Sequence, residues 1–391
     1  MIRAIILGSN IYAKYLNKFI HKGYNIIVNE YGGDRIEPIA YWDYFGSGNT
    51  DDADLPVIPH ELVRAYFESG IAEVLIVPDE CYVGLNDYLT AFFLVGINLE
   101  YVYIARRIEN SCSSKDEIMD AFTPYYSCRK LPYLEFHVAD HCNLNCANCE
   151  HYSGLVKGDV FPDFDKFSKD IRQLRNFIND IGIIRILGGE PLLNPQIEDY
   201  IKLVSEVYPD SIIKVVTNAL LLKSMPESFF DTLNSCHEGS GVHISLYPVM
   251  KDHIDPVLKM LKEKKTHYVV SPVIDKFRKQ QSLTPGNDEE TARKYTHCYQ
   301  KGCVNLYDGK IASCFLPFTT KYFNEYFDKD LPEDGTIDLY EDGLTIEKIM
   351  HRLSTPFERC RYCTEPVELP WHVIHEPSIL DDWVHVNGRN R

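Results

Sequence analysis

This 391-residue chain lacks several features, and each absence excludes a class of protein. No apolar run approaches the ~18 residues that a membrane-spanning helix needs, so no membrane association is expected. Positive charge is short: 40 Lys and Arg against 57 Asp and Glu leave a net charge of -17. Non-specific nucleic-acid binding depends on neutralising phosphates, and no basic run marks a groove for it, so no nucleic acid is expected as a partner. Internal repeats and low-complexity segments are missing. With 45% hydrophobic and 25% charged residues, the composition excludes a disordered tail, a coiled coil and a collagen-like fibre. The first eight residues lack the longer apolar region and small-residue cleavage site of a signal peptide. The cytoplasm is therefore the expected compartment.

Cysteine, by contrast, is plentiful. Twelve occur, at 81, 112, 128, 142, 146, 149, 236, 298, 303, 314, 360 and 363. In a reducing compartment they are not expected to form a disulfide framework. Three lie within eight residues and the last five form a second group. Clustered thiolates of this kind read as metal or iron–sulfur ligands.

At roughly 150 residues per domain, the length suggests two or three domains. Residues 1–108 read as a small Rossmann-like unit, with strands at Ile5–Leu7, Ile26–Val28, Val74–Val77 and Tyr101–Ile104. Residues 109–131 read as a linker. From 132 to 288 strands and helices alternate: strands at Leu134–Val138, Ile183–Leu187, Ile212–Val216, Val242–Leu246 and Tyr268–Val273, with a helix that Asp163 can cap. Repeated βα predicts a partial (β/α)6 TIM-like barrel with its site at the C-terminal strand ends. Residues 289–391 are loop-rich and cysteine-rich, and predict a small α+β domain that a metal holds together.

The run His-Cys-Asn-Leu-Asn-Cys-Ala-Asn-Cys-Glu at 141–150 follows a strand directly. Cys142, Cys146 and Cys149 can hold three irons of a [4Fe–4S] cube from one loop, leaving the fourth iron open. A structural zinc site would want four protein ligands. Gly188-Gly189-Glu190-Pro191 follows the second strand of this region, Thr217-Asn218 ends the third, and Ser245 ends the fourth.

With these residues in this order, the sequence resembles the radical SAM superfamily. The resemblance implies that the open iron binds S-adenosylmethionine, whose reductive cleavage gives a 5′-deoxyadenosyl radical that abstracts hydrogen from a substrate. It implies that Gly188, Gly189, Glu190, Thr217, Asn218 and Ser245 contact S-adenosylmethionine. It also implies a one-electron reductant, such as flavodoxin or ferredoxin. Asn148 stands where the family usually has an aromatic near the adenine, so that contact must come from elsewhere, with Tyr152 or His151 as candidates.

The later pattern, Cys298, Gly309, Cys314, then Cys360 and Cys363, resembles the twitch or SPASM extension of these enzymes, in which four cysteines hold an auxiliary cluster. Cys303 is an alternative to Cys298, and a structural zinc on the same thiolates is the competing reading. Asp308-Gly309 would be a hairpin tip with Leu306 and Ile311 on its strands. In the first unit, Gly8-Ser9-Asn10-Ile11-Tyr12-Ala13 is a degraded dinucleotide fingerprint, with Glu30 as its acidic partner; a Rossmann-like fold without a dinucleotide fits as well.

The expected function is oxidation or epimerisation of a sugar, in particular a sugar nucleotide or glycan of surface polysaccharide synthesis. Cys236 is the candidate hydrogen-atom donor, and His243 and Tyr247, placed with Ser245 on one face by alternation, are candidate acid–base groups. The alternatives are a peptide-modifying enzyme (a RiPP maturase) and a non-enzymatic iron–sulfur or zinc regulator. The tail residues Trp371, His372, His375, Trp383 and His385 either cap the site or pack.

Overall fold

The computed structural model describes residues 1–8, 11–21, 26–29, 32–43, 54–78, 101–105, 122–124, 129–296, 298–353, 355–375 and 377–386. Cys81, Cys112, Cys128, Asn10 and Glu30 lie outside them. The chain divides into two compact units: residues 1–132, 296–299 and 346–354, and residues 133–295, 300–345 and 355–391.

In the first unit, β1 (Ile2–Leu7), α1 (Ile11–His21), β2 (Ile26–Asn29), β3 (Gly32–Trp42), β4 (Val57–Ile58), α2 (His60–Glu68), β5 (Val74–Pro78), β6 (Val102–Ala105) and β7 (Phe122–Pro124) follow in order. The sheet order is β2-β3-β1-β5-β6-β7. β3, β1, β5 and β6 run parallel, and β2 and β7 are antiparallel edges. Ala4, Ile5, Ile6, Leu75 and Ile76 are fully buried in its centre, as the apolar runs require of a sheet covered on both faces. β3 has no counterpart among the expected strands. It carries Pro38, and the β1 register shifts between Ala4 and Ile5, opposite that proline, so the missing N–H falls at an irregularity. β7 falls inside the stretch expected to be a linker.

In the second unit come β8 (Lys130–Ala139), α3 (Phe164–Arg175), β9 (Asp180–Gly188), α4 (Ile197–Val207), β10 (Ile212–Thr217), α5 (Glu227–Asn234), β11 (Gly241–Ile244), α6 (Pro248–Lys251), α7 (Ile254–Glu263), β12 (His267–Val270), β13 (Lys276–Gln281), α8 (Asp288–Thr296), β14 (Asn305–Tyr307), β15 (Lys310–Ala312), α9 (Leu316–Phe327) and β16 (Ile337–Asp338). After α10 (Ile346–Leu353), which groups with the first unit, β17 (Cys363–Pro370) ends the regular elements.

The main sheet has the order β12-β11-β10-β9-β8-β14-β15-β16. β9 to β12 run parallel, and α3, α4, α5 and α7 connect β8 to β12. The α/β expectation holds. β14 extends this sheet beyond β8 as a parallel neighbour, Asn305 pairing with Glu135, and barrel closure does not appear among the described residues. The next strand, β13, pairs antiparallel with β17 in a separate two-stranded sheet. Apart from Phe277, its residues are charged or amide-bearing, which gave no apolar signal for a strand.

Local chemistry sets the frame. Asp163 caps α3, its Oδ1 accepting from the Lys166 N–H at 2.7 Å. The α3 face Phe167, Ile171 and Leu174 is buried, as are Ile184, Ile186, Ile213 and Val215 of the strands, each apolar side chain contributing roughly 1.5–3 kcal/mol. The β14–β15 hairpin pairs Leu306 with Ile311. Its tip residues Asp308 and Gly309 have φ of 51° and 76°, as a two-residue hairpin turn requires.

Candidate active site

The site is built where the ends of β9, β10 and β11 meet the loop that follows β8. Gly188 and Gly189 make that meeting possible. A Cβ on Gly188 would stand 2.0 Å from the Ala139 carbonyl oxygen, and one on Gly189 would stand 2.1 Å from that of His141. The backbone is bonded at this approach: Gly189 N–H donates to Ala139 O at 2.8 Å and Glu190 N–H to His141 O at 3.1 Å. The backbone that these glycines admit is therefore the root of the cysteine loop.

Glu190 is buried and fastens β9 to β10. Its carboxylate accepts from Thr217 Oγ1 at 2.6 Å, from the Asn218 N–H at 3.0 Å and from the Leu192 N–H at 3.2 Å. Burial pushes its carboxyl up to about 7 against these hydrogen bonds. Asn218 in turn donates through Nδ2 to Asn143 Oδ1 at 2.7 Å, inside the cysteine loop. Ser245 follows β11, its N–H donating to Thr217 O at 2.9 Å. Asn143 was not foreseen; an amide between two ligand-spaced cysteines carries no pattern of its own.

Cys142, Cys146 and Cys149 lie together on this loop. Burial, then the neighbouring Cys149, Glu190 and Cys146, push the Cys142 thiol up. Burial and Cys149 push Cys146 up to about 12. Among the described residues, no three His, Cys, Asp or Glu side chains converge to hold a single metal ion. A cube is a different demand, because it places each thiolate on its own iron. The donor set fits such a group: three mutually repelling sulfurs, Cys146 buried and Cys142 and Cys149 half-buried, become thiolates only beside a cationic centre.

Asn148 has φ of 57° and is buried. Left-handed backbone favours Asn over an aromatic residue, which is the local reason for the departure at this position. Neither residue expected to replace the aromatic is free to do so. Tyr152 is buried against Phe323 and Trp383 and accepts from Arg359. The His151 ring stacks on Phe315 and its Nδ1 lies 2.7 Å from His137 Nε2. His137 continues to Asp140, which also accepts from Tyr307 and Tyr322. Burial raises the Asp140 carboxyl, but these partners outweigh it and hold the group at about 2.

The candidate catalytic residues do not assemble. Alternation ends with β11 at Ile244, so Tyr247 caps α6 rather than continuing the face of His243. Burial first, then the three cysteines and Glu190, raise the Tyr247 hydroxyl. His243 instead sits with Arg185 and Lys214; burial first, then these two cations, lower it to about 4. Cys236 lies before β11, at the opposite end of the parallel strands from Glu190, Asn218 and Ser245, and its thiol donates to Thr232 O at 3.3 Å. The structure does not bring it to the site.

A row of cations crosses these strands. Lys214 faces Arg185 across β9 and β10, and its Nζ lies 3.0 Å from His267 Nδ1. Among the described residues neither Arg185 nor Lys214 has a carboxylate within ion-pair distance. One charged residue inside each apolar strand was the visible but unread signal.

Of the second cysteine group, Cys303, Cys314, Cys360 and Cys363 belong to the second unit and Cys298 to the first. Cys314 is buried and its thiol donates to Gln300 Oε1 at 3.3 Å. Cys363 accepts from Gln281 Nε2 at 3.5 Å. Cys314, Cys363 and Cys149 share one apolar cluster. The tail splits in two. Trp383 is core, packed on Tyr152, whereas Trp371 reaches the cysteine loop.

Residues 137–285 match the model of the Radical SAM superfamily. The chain carries a radical SAM domain. A radical SAM domain works with S-adenosylmethionine and an iron–sulfur cluster. One similar protein is GTP 3′,8-cyclase of Limosilactobacillus fermentum, 33% identical over 109 residues, which cover 26% of this chain and 32% of that one. The chain thus spans about a third of the length of this curated relative, 32%. Among solved structures, BtrN in complex with AdoMet and 2-DOIA is 16% identical, covers 57% of this chain and 84% of its own, and has a TM-score of 0.38. Native anSMEcpe with bound AdoMet and Cp18Cys peptide is 15% identical, covers 36% and 42%, and has a TM-score of 0.27. No helix among the described residues is long and apolar enough to cross a membrane.

Proposed function

We propose that this chain is a radical SAM enzyme in which Cys142, Cys146 and Cys149 hold a [4Fe–4S] cluster. When bound, the cluster and S-adenosylmethionine supply a 5′-deoxyadenosyl radical that takes a hydrogen atom from the substrate. The observation that carries this reading is the convergence of the β9, β10 and β11 ends on one cysteine loop, through Glu190, Thr217, Asn218 and Asn143. In this reading Glu190 holds the loops in register, and the rim formed by Gly188, Gly189, Asn218 and Ser245 receives S-adenosylmethionine. Cys314, Cys360 and Cys363, with Cys298 or Cys303, hold an auxiliary cluster or a zinc ion. A flavodoxin or ferredoxin supplies the electron.

For the substrate, modification of a peptide stands at least level with the sugar expectation. Nothing in the geometry selects a sugar, and the similar structures are named with a peptide in one case and 2-DOIA in another.

The test is anaerobic reconstitution of wild type and of a triple variant, C142A/C146A/C149A. We expect about eight irons to fall to about four, and dithionite-driven formation of 5′-deoxyadenosine to vanish. Wild type that binds no iron, or that never cleaves S-adenosylmethionine, would sink the proposal. A fall from about four irons to none would instead assign zinc or nothing to the later cysteines. Deuterium transfer into 5′-deoxyadenosine from labelled peptides or sugar nucleotides would choose the substrate.

A further inference from the structure

The three loop sulfurs differ in where their hydrogen-bond donors come from. Cys142 accepts from the Leu144 N–H at 3.4 Å and, at 4.0 Å, from Asn218 Nδ2, and Cys149 from the backbone of His151 and Ser153. Apart from Asn218, these donors belong to the loop itself. Cys146 accepts from the Trp371 indole Nε1–H at 3.2 Å, from a residue 225 positions further along the chain.

The position of that indole is held from several sides. Trp371 follows β17 directly, and its own N–H donates to Asp275 O at 2.9 Å. Residues 371–374 then lie antiparallel to the cysteine loop, with Val373 opposite Cys146. Ile374 N–H donates to Asn145 O at 2.7 Å, Ala147 N–H to His372 O at 3.1 Å, and Asn145 Nδ2 to Ile374 O at 3.1 Å. The indole plane stacks on Tyr247, centroids 5.7 Å apart at 13°, and Phe277 packs on Tyr247 at 75°.

We infer that Trp371 is a positioning residue for the Cys146 sulfur, and that residues 371–374 strap it in place so that its N–H sets the reduction potential of the cluster. This rests on the reading of Cys146 as a cluster ligand. The indole nitrogen can only donate. A donor to a thiolate ligand stabilises the reduced, more negative cluster more than the oxidised one, and so raises the potential. β17 begins at Cys363, so one strand runs from the later cysteines to this donor.

The test compares reconstituted wild type with Trp371→Phe, which keeps a ring against Tyr247 and removes the N–H. Iron per chain is counted, and the electron paramagnetic resonance signal that responds to S-adenosylmethionine is followed in a potentiometric titration. We expect equal iron and a lower midpoint in the variant, by a tenfold change in the one-electron equilibrium, about 59 mV. Equal midpoints at equal iron would overturn the inference. If the variant does not load iron, wild type carrying 15N-indole tryptophan decides. Electron–nuclear double resonance of the reduced cluster should show 15N coupling that persists in Trp383→Phe, and its absence would overturn the inference. Wild type that binds no iron removes the ligand reading itself, and the inference with it.

Discussion

Glu190 shows how one buried side chain carries both architecture and titration. Its carboxyl sits at about 7 in the folded protein, against an ordinary value of 4.5, and burial is the cause. Between those two values the folded state holds more protons than the unfolded chain, so stability falls as pH rises from about 4.5 through about 7. In the metal-free protein, urea unfolding should show a loss of about 2–3 kcal/mol over that window. Glu190→Gln should flatten it. A variant as pH-sensitive as wild type would mean that another group carries the effect. The residue was legible in the sequence through its Gly-Gly-Glu-Pro context. Its fastening role was not, because Thr217 and Asn218 lie 27 and 28 positions away.

Among the elements, the loop after β8 and the turn after β9 depend on each other. Gly189→Ala would drive a Cβ into the His141 carbonyl oxygen at 2.1 Å and the Asp140 oxygen at 2.9 Å. Backbone cannot yield as a flexible side chain can. We expect the variant to lose iron on reconstitution and to lose about 1–3 kcal/mol of stability. Gly158→Ala is the control: its φ is +72° but nothing lies within 4 Å, so it should cost about 1–2 kcal/mol and keep its iron. Equal iron in the two variants would show that the close approach does not matter. The parallel strands of this region were readable because each is a short apolar run between turn signals. β3 and the β13–β17 pair were not: a proline interrupts one, and charged residues make up much of the other.

Across the whole molecule, the chain order and the spatial units do not coincide. Residues 346–354, late in the sequence, group with residues 1–132. Within α10, Ile349, Met350 and Leu353 are buried. Removing residues 1–132 takes away most of the unit to which that helix belongs, so we expect the truncated chain to aggregate. Light scattering of the truncated protein checks this, and a monodisperse truncation would show that the second unit tolerates the loss.

The sequence by itself determined the cysteine loop, the Gly-Gly-Glu-Pro turn, the cap at Asp163 and the hairpin tip at Asp308-Gly309. Each is a local pattern in which spacing dictates chemistry or backbone conformation. Only the tertiary structure decided that Cys236 stands away from the site, that His243 joins Arg185 and Lys214 rather than Tyr247, and that Trp371 meets Cys146. Those outcomes depend on contacts between residues far apart in the chain. Packing of whole strands sets such contacts, and no local spacing encodes them.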